Sequence, residues 1–183
     1  MAGAISLQLI PHTSPLIPIM KSLLIIRHAK SSWDITSMED FDRPLNDRGK
    51  KDAPEMAKRL IKEKIKIHAF ISSPAKRAKK TAQLFVHEFQ RNKEDIIFIP
   101  ELYNVSAPVT YQVTSNLHND YETVAIFSHN PGVTDFVNSL TSHRIVDMPT
   151  CGIFAVKIHT NAWEDFEHAV KDFWFFNYPK LNT

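Results

Sequence analysis

An Arg-His pair at positions 27 and 28 is the part of the sequence best suited to chemistry. It follows four apolar residues, 23–26, and precedes a run of small and hydroxylic side chains. The neutral imidazole of His28 has a lone pair that can attack phosphorus, and the guanidinium of Arg27 can hold phosphate oxygens through paired hydrogen bonds. An isolated Arg-His pair is more commonly a packed histidine at a strand end beside a surface arginine. The rest of the chain has to decide between these two interpretations.

Two further loops carry residues suited to phosphate. Residues 72–77 open a predicted helix with Arg77 in its first turn, and residues 128–132 open another and contain His129 and Asn130. Parallel strands place such loops at one edge of a sheet, so residues that are distant in sequence can meet there. Helix N-termini add unpaired N–H groups and a dipole that favours an anion. Three agreeing loops favour a phosphate site.

Alternating strands and helices must position these loops. Three amphipathic segments have apolar residues at three- and four-residue spacings, around residues 53–60, 78–89 and 133–140, and a weaker helix is predicted over 108–117. Ser73 is a candidate N-cap and Pro74 a candidate first helical residue of the second segment. Buried strands are predicted at residues 23–26, 69–71, 96–99, 123–127, 152–158 and 170–176.

The alternation predicts an α/β fold, a three-layer α/β/α sandwich around a mostly parallel central sheet. A short polar link at residues 161–168 joins the last two strands, so an antiparallel strand is expected at one edge. We find no internal repeat or domain-splitting linker after Met20, and residues 20–183 are therefore predicted to form a single domain.

Composition narrows the function classes. The chain has 183 residues, with 22 Lys and Arg against 20 Asp and Glu, so no global positive field indicates nucleic acid. The single cysteine, Cys151, excludes an internal disulfide and a multi-cysteine zinc site. We expect Cys151 to be an inert buried thiol and the protein to lie in the cytoplasm. No stretch of about 20 apolar residues predicts a membrane span.

Residues 1–19 stand apart from the rest. They contain three prolines and have no basic residue before Lys21, so they do not match a signal peptide. Met20 would be a natural start for a domain whose first strand follows at once. We expect residues 1–19 to be a disordered extension or an upstream mis-start. Mass spectrometry of the native protein would test this expectation, since an N-terminus at Met1 would exclude a mis-start.

Four motifs, in order and spacing, give the chain a family resemblance. They are RHAKSSW at 27–33, FDRPLNDRG at 41–49, SSPAKRAKKTA at 72–82 and FSHNPG at 127–132. Over residues 21–180 the chain resembles the histidine phosphatase superfamily, which has the phosphoglycerate mutase-like fold. Its small size, and Ala29 where larger members usually have glycine, make it similar to the small branch of SixA phosphohistidine phosphatases.

The resemblance implies roles for individual residues. His28 would be the nucleophile that becomes phosphorylated, Arg27 and Arg77 would bind the phosphoryl oxygens, and His129 would complete the pocket. Glu101 stands where many members carry the carboxylate that protonates the leaving group, although a solvated loop glutamate is an equally good interpretation.

Two other residues are substrate-binding candidates on their own chemistry. Ser31, three residues after the nucleophile, can donate to phosphate or cap a turn, and we favour the phosphate role. Asn130 can orient His129 or the backbone of its loop. Gly49 is expected where a side chain would hinder a turn, and Arg43 either approaches the pocket rim or serves the entry to the following helix.

The sequence therefore predicts a metal-independent phosphatase that needs no cofactor and works through a phosphohistidine on His28. The expected substrate is a protein phosphohistidine, for example on a histidine phosphotransfer domain, because the predicted links are too short to cover the site. Residues 33–41 could still fold over it. A small phosphate ester is the alternative substrate, and a phospho-ligand binding module without turnover is a further alternative. Neither nucleic acid nor membrane is an expected partner.

Overall fold

The computed structural model describes residues 20–32, 39–103 and 105–181. The predictions for residues 1–19, and for most of the possible cover at 33–41, lie outside these ranges. In the described ranges, none of the helices combines the length and apolar character needed to cross a membrane.

Six strands and four α-helices alternate along the described part of the chain. The strands are β1 (Lys21–Arg27), β2 (Ala69–Ser72), β3 (Ile96–Phe98), β4 (Thr123–Ser128), β5 (Ile153–Ile158) and β6 (Lys171–Asn177). The helices are α1 (Asp47–Lys62), α2 (Lys76–Glu88), α3 (Ala107–Ser115) and α4 (Gly132–Leu140). Short 3-10 turns lie at Asp40–Asp42, Lys93–Asp95, Pro100–Leu102 and Trp163–Asp165.

All six strands belong to one sheet with the order β3-β2-β4-β1-β5-β6. The pairs β3/β2, β2/β4 and β4/β1 are parallel, whereas β5 is antiparallel to β1 and β6 is antiparallel to β5. The predicted α/β fold, with a mostly parallel sheet and an antiparallel edge strand, is confirmed.

The sheet has a buried core on each face. Along β1, Leu24 and Ile26 pack into the core that includes apolar residues of α1 and α2, and Leu23 and Ile25 pack into the core that includes residues of α4. Successive side chains of a strand point to opposite faces, so a central strand covered on both sides must be apolar throughout. This explains the apolar run Leu23–Ile26 within β1, and why that run can end abruptly in polar residues at the sheet edge.

The predicted start of α2 is wrong by two residues. Sequence reasoning placed Ser73 as N-cap and Pro74 as the first helical residue, but the helix begins at Lys76 after Ala75. The Ser73 hydroxyl accepts a hydrogen bond from the Ala75 N–H at 3.3 Å, two residues ahead, and it also bonds to His129. The tertiary contact with His129 therefore keeps this serine outside the helix.

Candidate active site

The three predicted loops converge at one edge of the sheet. In the parallel register, Arg27 at the end of β1 pairs with Ser128 at the end of β4, and Ser72 at the end of β2 pairs with Phe127. The ends of these three strands therefore lie side by side. The loops that follow them carry His28, Arg77 and His129, which we call the phosphoryl pocket.

The three side chains of the phosphoryl pocket contact one another and are buried. The rings of His28 and His129 are 5.1 Å apart between centroids, and Arg77 Nε donates to His28 Nε2 at 3.2 Å. Each of the three residues is 5% exposed or less. Sequence reasoning placed these residues together without any contact information, and the structure brings them together.

The orientation of His28 is fixed by its own neighbour. Its Nδ1 lies 2.8 Å from the carbonyl oxygen of Ala29. A carbonyl can only accept, so Nδ1 carries the proton and Nε2 keeps a lone pair, which accepts from Arg77. The pKa of His28 is lowered to about 3, mainly by burial, and the positive charges of Arg77 and Arg27 contribute to the same shift. His28 is therefore neutral at pH 7, with Nε2 as its nucleophilic nitrogen.

The backbone around His28 is held from two other segments. The Cys151 N–H donates to the carbonyls of both Arg27 and His28 at 3.1 Å. The Ala29 N–H donates to Thr81 Oγ1 at 3.0 Å. Cys151 has a φ of 60°, is fully buried, and has a thiol pKa raised by that burial, as expected of an inert thiol. The loop that carries His28, which we call the nucleophile loop, is thus hydrogen-bonded to α2 and to the segment before β5.

Ser73 determines the protonation pattern of His129. Its Oγ lies 2.8 Å from His129 Nε2 and already accepts from the Ala75 N–H. We assign the Ser73 hydroxyl as the donor to His129 Nε2, which places the proton of the neutral imidazole on Nδ1. Burial lowers the pKa of His129 to about 2, with His28 and Arg77 adding to the effect. His129 Nδ1 is buried and makes no hydrogen bond to any described residue.

An acidic residue occupies the outer nitrogens of Arg77. Arg77 Nη2 bonds to Asp40 Oδ2 at 2.8 Å, and Nη1 bonds to the Asp40 carbonyl oxygen at 2.5 Å. Arg43 pairs with Asp40 Oδ1 at 3.0 Å, and the Tyr103 hydroxyl donates to Oδ2 at 3.1 Å. Partial burial tends to raise the pKa of Asp40, but Arg77, Tyr103 and Arg43 together lower it below its usual value. An ionised carboxylate is thus bound where an anionic ligand of Arg77 would bind.

Arg27 and Asn130 share their partners at the opposite side of the site. Arg27 Nη1 donates to Asp147 Oδ2 at 3.2 Å and to the Met148 carbonyl. Asn130 Nδ2 donates to Asp147 Oδ1 at 2.5 Å and to the same Met148 carbonyl at 3.2 Å, while its Oδ1 accepts from Thr134. Asn130 therefore fastens its loop to residues 147–148. Arg27 Nε is buried with no hydrogen-bond partner among the described residues.

The two remaining predicted residues lie in different surroundings. Ser31 is buried, in the nucleophile loop, and its backbone forms a bridge to Leu45. Glu101 is exposed on the turn Pro100–Leu102, where it lines a groove together with residues of α3 such as Gln112. That groove contains none of the three residues of the phosphoryl pocket.

Sequence reasoning missed Asp40, Tyr103 and the role of Ser73. Asp40 stands one residue before the second motif, but nothing in its type or spacing distinguishes it from the acidic residues around it. Tyr103 contacts His129 edge to face, with ring centroids 5.7 Å apart, and no sequence pattern indicates this. Ser73 did carry a usable signal, since it is a hydroxyl directly after a strand that ends at the site.

Comparisons with known proteins agree with the geometry. The sequence profile of the histidine phosphatase superfamily, branch 1, matches residues 23–114. The uncharacterized chloroplastic protein At3g52155 of Arabidopsis thaliana is 30% identical over 161 residues, which cover 83% of this chain and 73% of that protein.

Two solved structures show the same fold at low identity. The protein histidine phosphatase SixA complexed with tungstate has a TM-score of 0.74 at 23% identity, covering 86% of this chain and 97% of SixA. A mycobacterial glucosyl-3-phosphoglycerate phosphatase with bound VO3 has a TM-score of 0.67 at 13% identity, covering 86% of this chain and 99% of that structure. The two structures share the fold of the chain. The profile match, which spans half of the chain, places it in the histidine phosphatase superfamily, branch 1, as a hydrolase that acts on phosphate esters.

Proposed function

We propose that the protein is a metal-independent phosphohistidine phosphatase that forms a covalent phosphohistidine on His28. The observation that carries the proposal is the fixed tautomer of His28. Its Nδ1 is tied to the Ala29 carbonyl, and its Nε2 lone pair lies beside Arg77. A buried neutral imidazole oriented in this way has the form that a nucleophile needs.

The first step transfers the phosphoryl group to the enzyme. The Nε2 lone pair of His28 forms a bond to phosphorus, and the bond from phosphorus to the substrate imidazole breaks with its electron pair going to the departing nitrogen. The substrate imidazole is protonated on its other ring nitrogen and leaves as a neutral imidazole, while His28 keeps its own proton on Nδ1. Arg77 moves its N–H groups from His28 and Asp40 to the phosphoryl oxygens. Arg27 and the free Nδ1–H of His129 complete the set of donors.

The second step regenerates His28. A water molecule attacks the phosphorus, the bond from phosphorus to Nε2 breaks, and the electron pair returns to the imidazole as orthophosphate forms. Phosphoryl transfer depends mainly on positioning and on stabilising charge at the equatorial oxygens. Two arginines supply positive charge, and together with a histidine they supply hydrogen-bond donors to those oxygens. This supports the proposal that no metal ion or other cofactor is required.

The leaving group also needs a proton. Glu101 is the proposed donor for ester substrates, but its exposed position gives it no described contact with the phosphoryl pocket. Asp40 is the carboxylate that contacts Arg77, and it becomes a second candidate once substrate displaces it from the guanidinium. A departing imidazole is a good leaving group, so a phosphohistidine substrate needs the acid least. Glu101→Gln and Asp40→Asn, compared on an alkyl and a nitrophenyl phosphate, would identify the donor.

The proposed roles of the remaining residues follow from their positions. Ser31 would donate to a phosphoryl oxygen from within the nucleophile loop, and Asn130 would hold the loop of His129 in place through Asp147. A reducing compartment such as the cytoplasm is the proposed location, since Cys151 is a buried thiol. The Arabidopsis relative is named as chloroplastic. Fractionation of the native host would decide between the cytoplasm and an organelle.

One experiment tests both the mechanism and the substrate class. A histidine-phosphorylated phosphotransfer domain and p-nitrophenyl phosphate are each incubated with the enzyme in EDTA, alongside a panel of sugar and nucleotide phosphates. We expect turnover of both, a higher kcat/KM for the phosphorylated domain, and a loss of about 10³-fold or more in His28→Ala. His87→Ala, which changes an exposed histidine on α2, is the matched control.

Three results would contradict the proposal. Activity that requires added metal or survives in His28→Ala would exclude the covalent mechanism. A small metabolite turned over with a far higher kcat/KM than the phosphorylated domain would replace the proposed substrate with a phosphomonoester.

A further inference from the structure

Helix α2 presents a row of lysines immediately beside the phosphoryl pocket. Lys76, Lys79 and Lys80 are exposed and follow the three- and four-residue spacing of one helix face, and Gln83 continues it. Lys50 of α1 faces the same groove. Arg77, one residue after Lys76, points instead to His28 and Asp40. The start of α2 therefore carries positive charge on two neighbouring faces, one inside the pocket and one outside it.

The lysines surround a groove of about 500 Å³ with an apolar floor. We call it the lysine groove. The apolar part of its lining consists of Phe41, Pro44, Leu45 and Pro74, and the polar part of Asp42, Lys50, Lys76, Lys79, Lys80 and Gln83. Phe41 is 37% exposed, which is unusual for a large aromatic side chain. A volume of this size holds several side chains of a bound segment.

Most of the positive charge in the lysine groove is not neutralised by the protein. Lys76 and Lys80 form no ion pair with any described residue, and the Lys79 ammonium lies 5.3 Å above the Phe98 ring. Lys50 is paired, with Asp47 at 3.0 Å. The whole chain has a net charge of only +2, so the groove is a local concentration of positive charge. A negatively charged partner would be attracted to this face.

A single turn separates the lysine groove from the phosphoryl pocket. In the turn Asp40–Asp42, Asp40 binds Arg77 on the pocket side, while Phe41 and Asp42 line the groove. The Phe41 ring also contacts Tyr103 edge to face at 5.1 Å. A protein segment whose phosphorylated residue enters the pocket would therefore lay its flanking residues across this turn.

We propose that the lysine groove binds an acidic segment of a protein substrate next to its phosphorylated residue. The lysines would pair with carboxylates of the segment, and the floor around Phe41 would cover an apolar side chain between them. This inference rests on the proposed function, because it requires a protein substrate. A small phosphate ester would fill the phosphoryl pocket without reaching the lysine groove.

Paired peptides test the inference directly. Two phosphohistidine peptides of equal length are compared, one with glutamates and one with glutamines flanking the phosphohistidine. We expect the wild type to prefer the glutamate peptide by about tenfold in kcat/KM at low salt, and to lose most of this preference at high ionic strength. The double variant Lys76→Glu/Lys80→Glu should lose the preference while keeping its activity on p-nitrophenyl phosphate.

A matched charge reversal serves as the control. Lys62→Glu/Lys66→Glu changes two exposed lysines at the far end of the sheet, near the beginning of β2, and should keep the preference. Equal kcat/KM for the two peptides in the wild type, or the same loss of preference in both double variants, would contradict the proposed role of the lysine groove. Either result would leave the phosphatase proposal intact. If neither peptide is hydrolysed while p-nitrophenyl phosphate is, the phosphohistidine proposal fails and the groove proposal fails with it.

Discussion

The hydroxyl of Ser73 couples the beginning of α2 to the second histidine of the phosphoryl pocket. Ser73 Oγ accepts from the Ala75 N–H on one side and bonds to His129 Nε2 at 2.8 Å on the other. With the hydroxyl proton of Ser73 assigned to the bond with His129 Nε2, the imidazole proton lies on Nδ1. One hydroxyl therefore determines whether His129 offers a donor or a lone pair to a phosphoryl oxygen.

We expect Ser73→Ala to lower kcat by about tenfold on both a phosphohistidine and an ester substrate, with a smaller change in KM. Without the hydroxyl, His129 can place its proton on either nitrogen, and the donor to the phosphoryl group is present only part of the time. Nitrogen-15 NMR of His129 should show protonation at Nδ1 in the wild type and a mixture of tautomers in the variant.

Ser72→Ala is the control for this prediction. Its hydroxyl donates to the carbonyl of Ser73 at 2.8 Å, and it is just as buried. It should leave the His129 tautomer and kcat unchanged. Protonation of His129 at Nε2 in the wild type would show that the assignment is wrong.

Removing Asp40 should strengthen the binding of oxyanions. Its carboxylate accepts from Arg77 Nη2, whereas Nη1 bonds to the Asp40 backbone carbonyl, and the carboxylate would repel an incoming phosphate. We expect Asp40→Ala to lower the inhibition constant of tungstate by about three- to tenfold, a range that allows for the solvent exposure of this ion pair. Asp42→Ala, on the same turn, should leave tungstate inhibition close to that of the wild type. Weaker inhibition in Asp40→Ala would mean that Asp40 positions Arg77 rather than competing for it.

The two buried histidines should make the fold sensitive to acid. Burial lowers the pKa of His28 to about 3 and of His129 to about 2, from a value of about 6.5 in the unfolded chain. Below pH 6.5 the unfolded state binds protons that the folded state does not, so their contribution to stability is present above pH 6.5 and lost as the pH falls toward these folded values.

Each histidine should therefore steepen the decline in unfolding free energy between about pH 6 and pH 4 by about 1.4 kcal/mol per pH unit. Urea unfolding of the wild type and of His28→Asn would measure the difference, and the slope of the variant should be smaller by the equivalent of one proton. Identical slopes in wild type and His28→Asn would show that His28 titrates normally in the folded protein.

Most of the fold could be predicted from the sequence because the patterns that indicate strands and helices are local. A short run such as Leu23–Ile26, bounded by polar residues, is typical of a strand buried on both faces, and parallel strands bring the loops that follow them to one edge. The position of Asp40 could not be predicted in this way, since its contact with Arg77 joins residues that are 37 positions apart. Ser73 could be placed near the site, as a hydroxyl directly after a strand that ends there, but its bond to His129 joins residues that are 56 positions apart and has no local signal.

Gly49 stands where a side chain would hinder, as the sequence predicted, but the hindrance comes from the loop after His28 and not from a turn that Gly49 ends. It lies in the first turn of α1, where its N–H is capped by Asn46 Oδ1 at 2.9 Å. A Cβ built on Gly49 would lie 2.1 Å from the carbonyl oxygen of Lys30, in the loop that follows the nucleophile. That same carbonyl accepts from the Asn46 N–H at 3.0 Å, so the loop cannot move away without losing a hydrogen bond.

We therefore expect Gly49→Ala to destabilise the protein by about 2–4 kcal/mol and to reduce kcat, because the methyl group would push the loop of His28 out of place. Lys51→Ala, at an exposed position of the same helix, should change stability by less than about 0.5 kcal/mol and leave kcat unaltered. Thermal unfolding together with p-nitrophenyl phosphate hydrolysis would measure both effects. A Gly49→Ala protein with the wild-type Tm and kcat would mean that α1 does not position the nucleophile loop, and that the fastening of His28 depends on Thr81 and Cys151 alone.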